Sequence, residues 1–78
     1  MNVTRLNQDP HTIREGREKN LELAIGREVR DLRKARSMTV ADLADATGVS
    51  VGMLSKIENG VTSASLTTLQ SLSSALSV

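Results

Sequence analysis

The chain has 78 residues, enough for one small domain whose core is near the lower size limit for independent folding. It contains no Cys, Phe, Tyr or Trp, so disulfides and cysteine-based metal sites are excluded and aliphatic side chains must build the core. No apolar run approaches the roughly 20 residues that cross a bilayer, and the first twenty residues are too charged for a secretory signal. We therefore expect a soluble, cytoplasmic protein with no membrane contact.

The net charge of +1 conceals an asymmetry between the two halves of the chain. Residues 1–36 carry nine Lys or Arg against six Asp or Glu, a net charge of +3. Residues 37–78 carry one against three, a net charge of −2. A nucleic-acid-binding protein needs cations near phosphates, and here they would come largely from the first half.

Residues 1–19 are polar and mixed in charge, and Pro10 interrupts them. This composition predicts a flexible arm, helical at most in its last turn. The alternative is an arm that contacts DNA through one of its arginines, Arg5, Arg14 or Arg17. His11 is the one histidine and has no partner cluster, so we interpret it as a solvated side chain and not as a ligand.

The first helix is predicted from about Leu21 to Arg36. Ile25, Val29 and Leu32 recur at i, i+4 and i+7 and form its buried stripe, with Arg and Glu elsewhere.

Residues 39–47 predict a second, short helix. Thr39 is the predicted N-cap, and Asp42 three residues later is the acidic partner of a capping box. Leu43, Ala44 and Thr47 fall on one face. Ala44 is small, which lets the next helix approach closely.

Gly48 supplies the residue with positive φ that ends the second helix. Val49 follows as an apolar plug, Ser50 caps a third helix, and Asn59-Gly60 ends it. The inward face of this third helix is predicted to be Leu54 and Ile57. Together these signals describe a helix-turn-helix, the unit that lays its second helix in the major groove of DNA.

Residues 61–64 are predicted to form a loop, and Ser65 to cap a fourth helix. Its leucines recur at three- and four-residue intervals: Leu66, Leu69, Leu72 and Leu76. The stripe covers little more than one and a half heptads, so packing against the other helices is favoured over a coiled coil.

Residues 21–78 resemble the DNA-binding domains of the lambda-repressor and Cro family, also called the xenobiotic-response-element family. The resemblance rests on Ile25–Arg33 in the first helix, on the motif Thr39–Gly60, and on Ser65–Leu72 at the start of the fourth helix. It implies an all-α fold, a compact bundle of four to five short helices. Relatives usually continue into a fifth helix and often into a sensor domain through which an effector acts; whether this chain is a fragment of such a regulator is left open.

The resemblance also implies the residues that contact DNA: Thr39, Val40, Ser50, Val51, Gly52, Ser55, Lys56, Asn59, Thr62 and Ser63. Lys56 would reach guanine or a phosphate. For Val51 and Gly52 the alternative is that they only fill the helix, and for the residues outside the recognition helix it is ordinary loop polarity. The family's ion pair between the first and third helices corresponds to Arg33 and Glu58, which gives Glu58 a structural role in place of a catalytic one.

The leading interpretation is a sequence-specific transcriptional regulator, a repressor that binds double-stranded DNA as a homodimer at an inverted repeat. The alternative is a protein-interaction module, such as an antitoxin-like partner, with weak or no DNA affinity. The neutral recognition helix keeps this alternative open. No catalytic constellation and no metal or cofactor site is predicted, so an enzyme is rejected.

Overall fold

The computed structural model describes the backbone of residues 10–78 and the side chains from Gly16 onwards. Over this range the fold is all-α, with four helices and no strand: α1 (Pro10–Ala35), α2 (Val40–Thr47), α3 (Val51–Glu58) and α4 (Leu66–Leu76). None of these helices combines the length and the apolar character needed to cross a membrane.

The first helix is much longer than the sequence predicted. It begins at Pro10, which is tolerated in the first turn because the amide of that position has no helical acceptor, and not at Leu21. The predicted start was therefore wrong, and 10–19, assigned to the flexible arm, is helical. The predictions for Arg5, His11 and Arg14 concern side chains outside the described residues.

The core lies where α1, α2, α3 and α4 meet. It is built from aliphatic side chains that are less than a tenth exposed: Val29, Leu43, Ala44, Leu54, Ile57, Leu72 and Leu76. Half-buried side chains complete it from the helix ends and connections, among them Ile25, Leu32, Met38 and Val49. The stripes predicted for the first three helices are confirmed in this arrangement.

The leucine stripe of α4 is only partly confirmed. Leu72 and Leu76 are buried and Leu69 is half-buried, but Leu66 is 73% exposed. Leu66 is the first residue of α4, directly after its N-cap Ser65, and it projects from the bundle into solvent. Its assignment to the packed stripe was wrong.

Local capping fixes the ends of the short helices. Thr39 Oγ1 accepts from the Asp42 amide while Asp42 Oδ2 accepts from the Thr39 amide, so the predicted capping box is present. Ser50 and Ser65 cap α3 and α4 through one bond each, without a capping box: Ser50 Oγ accepts from the Met53 amide and Ser65 Oγ from the Thr68 amide. Gly48 has φ of +76°, and its amide donates to the Ala44 carbonyl, which closes α2.

The end of α1 is less favourable. Ser37 adopts φ of +55°, a left-handed conformation that glycine normally supplies. The Met38 amide donates to the Arg33 carbonyl and the Ser37 amide to that of Lys34, the pattern of a Schellman cap. This turn directs the chain from the long helix into α2.

Candidate nucleic-acid interface

The third helix has two chemically different sides. Leu54, Ile57 and Glu58 face the interior and are almost fully covered. The opposite side is solvent-exposed along its whole length and carries Val51, Gly52, Ser55, Lys56 and Asn59. We call these five residues the α3 row.

The side chains at the N-terminal end of the α3 row are short. Gly52 has no side chain, and a Cβ built there would meet nothing within 4 Å. Val51 is 51% exposed, although burial is the usual location of a valine. Ser50 Oγ accepts from the Met53 amide, so the amides of Val51 and Gly52 are the orphan donors of this helix end.

At its C-terminal end the α3 row is tied to the first helix. Asn59 Nδ2 donates to the Ser55 carbonyl at 2.9 Å, and Asn59 Oδ1 accepts from Arg30 at 2.6 Å. Both polar atoms of this side chain are thus engaged within the protein. Lys19 Nζ donates to the Gly60 carbonyl one residue later.

The orientation of α3 depends on an ion pair in the interior. Arg33 Nε donates to Glu58 Oε2 at 2.7 Å and Arg33 Nη2 to Glu58 Oε1 at 3.0 Å, while Arg33 Nη1 donates to the Met38 carbonyl at 2.9 Å. The hydrogen bond to Glu58 raises the pKa of Arg33 above its ordinary value, and burial opposes this effect. The ion pair expected from the family resemblance is present, and it locks α3 against α1.

A close backbone contact supports the same packing. A Cβ at Gly26 would lie 2.7 Å from the Glu58 carbonyl oxygen and closer still to that of Ile57. Real Cβ contacts are essentially never that short, so only glycine lets α1 and the end of α3 approach this closely.

The N-terminus of α2, which follows closely after the end of α1 in the sequence, is the second predicted DNA contact. Thr39 is exposed, but Val40 is half-buried and packs against the core. The capping box occupies the amides of Thr39 and Asp42, which leaves those of Val40 and Ala41 as the orphan donors of this helix end. The Thr39 bonds lower the pKa of Asp42 and keep its carboxylate charged here, which reduces the attraction of this helix end for another anion.

Thr62 and Ser63, the loop residues predicted to contact DNA, are less available to a ligand than the α3 row. Ser63 Oγ donates to Glu22 on α1, and Thr62 is half-buried. Ser63 and Asn59 are thus hydrogen-bonded within the protein, whereas Ser55 Oγ accepts only a long bond of 3.5 Å from Asn59 Nδ2 and Lys56 is exposed.

Sequence reasoning missed two features of this surface. Met53, in the first turn of α3, is 42% exposed and adds apolar area beside Val51. Arg30 contacts the end of the α3 row, and its spacing of three residues from Arg33 could have placed it on this flank of α1.

Comparison with known proteins identifies the motif. A family model described as Helix-turn-helix matches residues 29–78, which is well over half of the chain. The match begins inside α1 and contains all of α2, α3 and α4. No curated protein and no solved structure matches the chain.

Proposed function

Because the chain belongs to the lambda-repressor/Cro-like helix-turn-helix family, whose members are DNA-binding regulators, we propose that it is a sequence-specific transcriptional repressor. It binds operator DNA as a homodimer and places α3 in the major groove. Two-fold symmetry sets two recognition helices about 34 Å apart, so the operator is an inverted repeat with half-sites one helical turn apart.

The observation that carries this proposal is the asymmetry of α3. One side is fixed in the core by Leu54, Ile57 and the Arg33–Glu58 ion pair. The other side, the α3 row, has only short side chains at its N-terminal end. A helix enters the major groove with its N-terminal residues against base edges, and low-profile residues there permit close approach.

Only a few groups on this surface contact the DNA bases. Val51 offers a methyl contact to thymine, Ser50 and Ser55 offer hydroxyls, and Lys56 offers one cation. Thr39 and the orphan amides of α2 contact phosphate. Because direct contacts are few, DNA shape carries a large share of the specificity.

A substitution at Gly52 tests the docking without disturbing the fold. Gly52→Ala introduces a methyl group into open space, so the melting midpoint is retained or raised. In the groove that methyl separates the backbone from the DNA, and affinity for a duplex selected from a random pool falls about tenfold, which corresponds to about 1.4 kcal/mol. Gly16→Ala, the same change in open space on α1, is the matched control and leaves affinity unchanged.

A protein-interaction module is the second candidate, favoured by the exposed apolar pair Val51 and Met53 and by the single cation on α3. A mobility-shift titration at low salt separates the two functions. A regulator retards the inverted repeat upstream of its own gene, with two chains bound per duplex. A chain that retards neither this duplex nor any selected from a random pool is not a DNA-binding regulator.

A further inference from the structure

The long first helix carries a row of cations on one flank. Arg27, Arg30 and Lys34 follow at i, i+3 and i+7, the spacing of residues on one helical face, and Lys19 lies on the same face two turns earlier. Of the acidic residues in the described part of α1, Glu18, Glu22 and Glu28 fall at other angles, whereas Asp31 lies beside these cations, four residues after Arg27 and three before Lys34. We call Arg27, Arg30 and Lys34 the α1 basic stripe.

The α1 basic stripe is joined to the α3 row at one point. Arg30 Nη2 donates to Asn59 Oδ1 at 2.6 Å, and Arg30 Nε lies 3.6 Å from Glu58 Oε1. Lys19 Nζ donates to the carbonyl of Gly60, the residue after Asn59, so a second point of α1 contacts the chain at the end of the recognition helix. The C-terminal end of the α3 row therefore lies beside the cationic flank of α1.

The positive charge of Arg30 is only partly neutralised within the protein. Glu58 accepts both of its short hydrogen bonds from Arg33, at 2.7 and 3.0 Å, and lies farther from Arg30. Two guanidinium groups thus share one carboxylate, and the Arg30 side chain is 39% exposed. Its bond to the Asn59 amide fixes the direction of the guanidinium without cancelling the charge.

We infer that the α1 basic stripe is a phosphate-binding surface, with Arg30 as its anchor and Asn59 as the residue that positions it. This inference rests on the proposed function and adds to it the source of the cations. The α3 row has only Lys56, and residues 37–78 carry a net charge of −2. The α1 basic stripe supplies the positive charge that the α3 row lacks. It lies beside the C-terminal end of the recognition helix, where the protein would contact the phosphates at the edge of the groove.

The salt dependence of binding tests this surface. Each phosphate contact contributes about 0.9 to the slope of log affinity against log salt. Arg30→Gln therefore flattens the slope by about 0.9 and removes about a threefold change in affinity between 50 and 200 mM salt. The loss is equal on a duplex selected by the parent protein and on a scrambled one, because phosphate contacts carry no sequence information. Replacing Arg27, Arg30 and Lys34 together flattens the slope by more than twice as much.

Glu18→Gln is the matched control for net charge. Glu18 is exposed, lies more than three turns before Arg30 on α1, and is about 120° or more around the helix from each residue of the α1 basic stripe. The double variant Glu18→Gln/Arg30→Gln has the net charge of the parent, and we expect it to bind as weakly as Arg30→Gln alone. Recovery of parental affinity in the double variant would show that only net charge acts, and would overturn the inference.

The position of the guanidinium is tested at Asn59. Asn59→Ala releases the Arg30 guanidinium but keeps its charge, so the salt slope is retained while affinity falls two- to fivefold on both duplexes. Asn59→Asp also accepts a bond from Arg30, but its carboxylate neutralises the Arg30 charge and so flattens the salt slope. Melting midpoints near the parental value verify that each variant is folded. If the parent binds no duplex, the proposed function fails. If the parent binds and the triple variant keeps the parental slope, the stripe lies away from DNA and an acidic protein partner becomes its candidate ligand.

Discussion

Arg33 and Glu58 form a two-point ion pair in the interior, with hydrogen bonds of 2.7 and 3.0 Å, across 25 positions of sequence. The pair joins the long first helix to the end of α3. Among the described residues no buried polar side-chain atom lacks a hydrogen-bond partner, so the geometry satisfies both charges. The third helix, α3, is therefore positioned by a polar contact as well as by apolar packing.

Removing one partner of this pair leaves the other charge buried. Arg33→Met or Glu58→Leu alone is expected to cost about 3 kcal/mol of unfolding free energy. The double variant Arg33→Met/Glu58→Leu should cost less than the sum, because no charge is left uncompensated. Urea denaturation of the four proteins measures this cycle, and strict additivity would show that the two side chains do not interact.

Gly26 and Gly16 form a matched pair within α1. Gly16→Ala should stabilise the protein by about 0.5–1 kcal/mol, because alanine has the higher helix propensity and a Cβ there meets nothing within 4 Å. Gly26→Ala should destabilise it by about 1–3 kcal/mol, since the methyl group collides with the Ile57 and Glu58 carbonyls. Thermal melting of both variants checks the prediction. A stabilised Gly26→Ala protein would mean that α1 and α3 are farther apart than described.

Gly48 tests the backbone of the turn without a packing effect. Its φ is +76°, and a Cβ at this position meets nothing within 4 Å. Gly48→Val should cost about 1–3 kcal/mol, because a β-branched residue is forced into the left-handed region. Gly48→Asn should cost clearly less, since asparagine tolerates that region. Equal melting midpoints for the parent and Gly48→Val would contradict the turn geometry.

Asp42 makes stability depend on pH at acid values. Its hydrogen bonds with Thr39 lower its pKa below the ordinary value, so the folded state favours the charged form. The resulting stabilisation is complete above the unfolded pKa of about 3.9 and is lost as the pH falls through the lower, folded pKa. Asp42→Asn keeps an acceptor for the Thr39 amide but has no charge to titrate.

The measurement is the urea midpoint between pH 6 and pH 2. The difference between the parent and Asp42→Asn should be constant above about pH 4 and shrink below it. Asp45→Asn, in the same helix, removes a carboxylate that accepts no hydrogen bond from the described residues and serves as the control. A parent–Asp42→Asn difference that stays constant down to pH 2 would remove Asp42 from the cap.

Lys56 is the one cation of the second half of the chain. If it contacts phosphate, Lys56→Ala lowers affinity equally on selected and scrambled duplexes and flattens the salt slope by about one. If it reads guanine, the loss is about 1–3 kcal/mol on the selected duplex and preference relaxes at one base pair. We expect the phosphate outcome, because lysine is a flexible point charge without the planar fork of arginine. Parental binding by Lys56→Ala on both duplexes would place α3 outside the groove.

The sequence by itself determined the local features of this protein. The capping box at Thr39, the caps at Ser50 and Ser65 and the left-handed Gly48 depend on residues within four positions of one another, so their chemistry can be interpreted without tertiary information. The order of α2, the turn and α3 followed from these signals. Family resemblance added the Arg33–Glu58 pair, which spacing alone could not have given.

Only the tertiary structure decided which of the candidate residues are available to a partner. Val40 packs against the core, Asn59 is hydrogen-bonded to Arg30, and Ser63 is hydrogen-bonded to Glu22. The early start of α1 was missed because a polar segment has no apolar periodicity that would predict a helix. The segment is helical because it extends the packed part of α1, which has already overcome the cost of helix nucleation. For Asn59 and Ser63 the deciding hydrogen bonds span 29 and 41 positions of sequence, and no local pattern encodes which distant group they will meet.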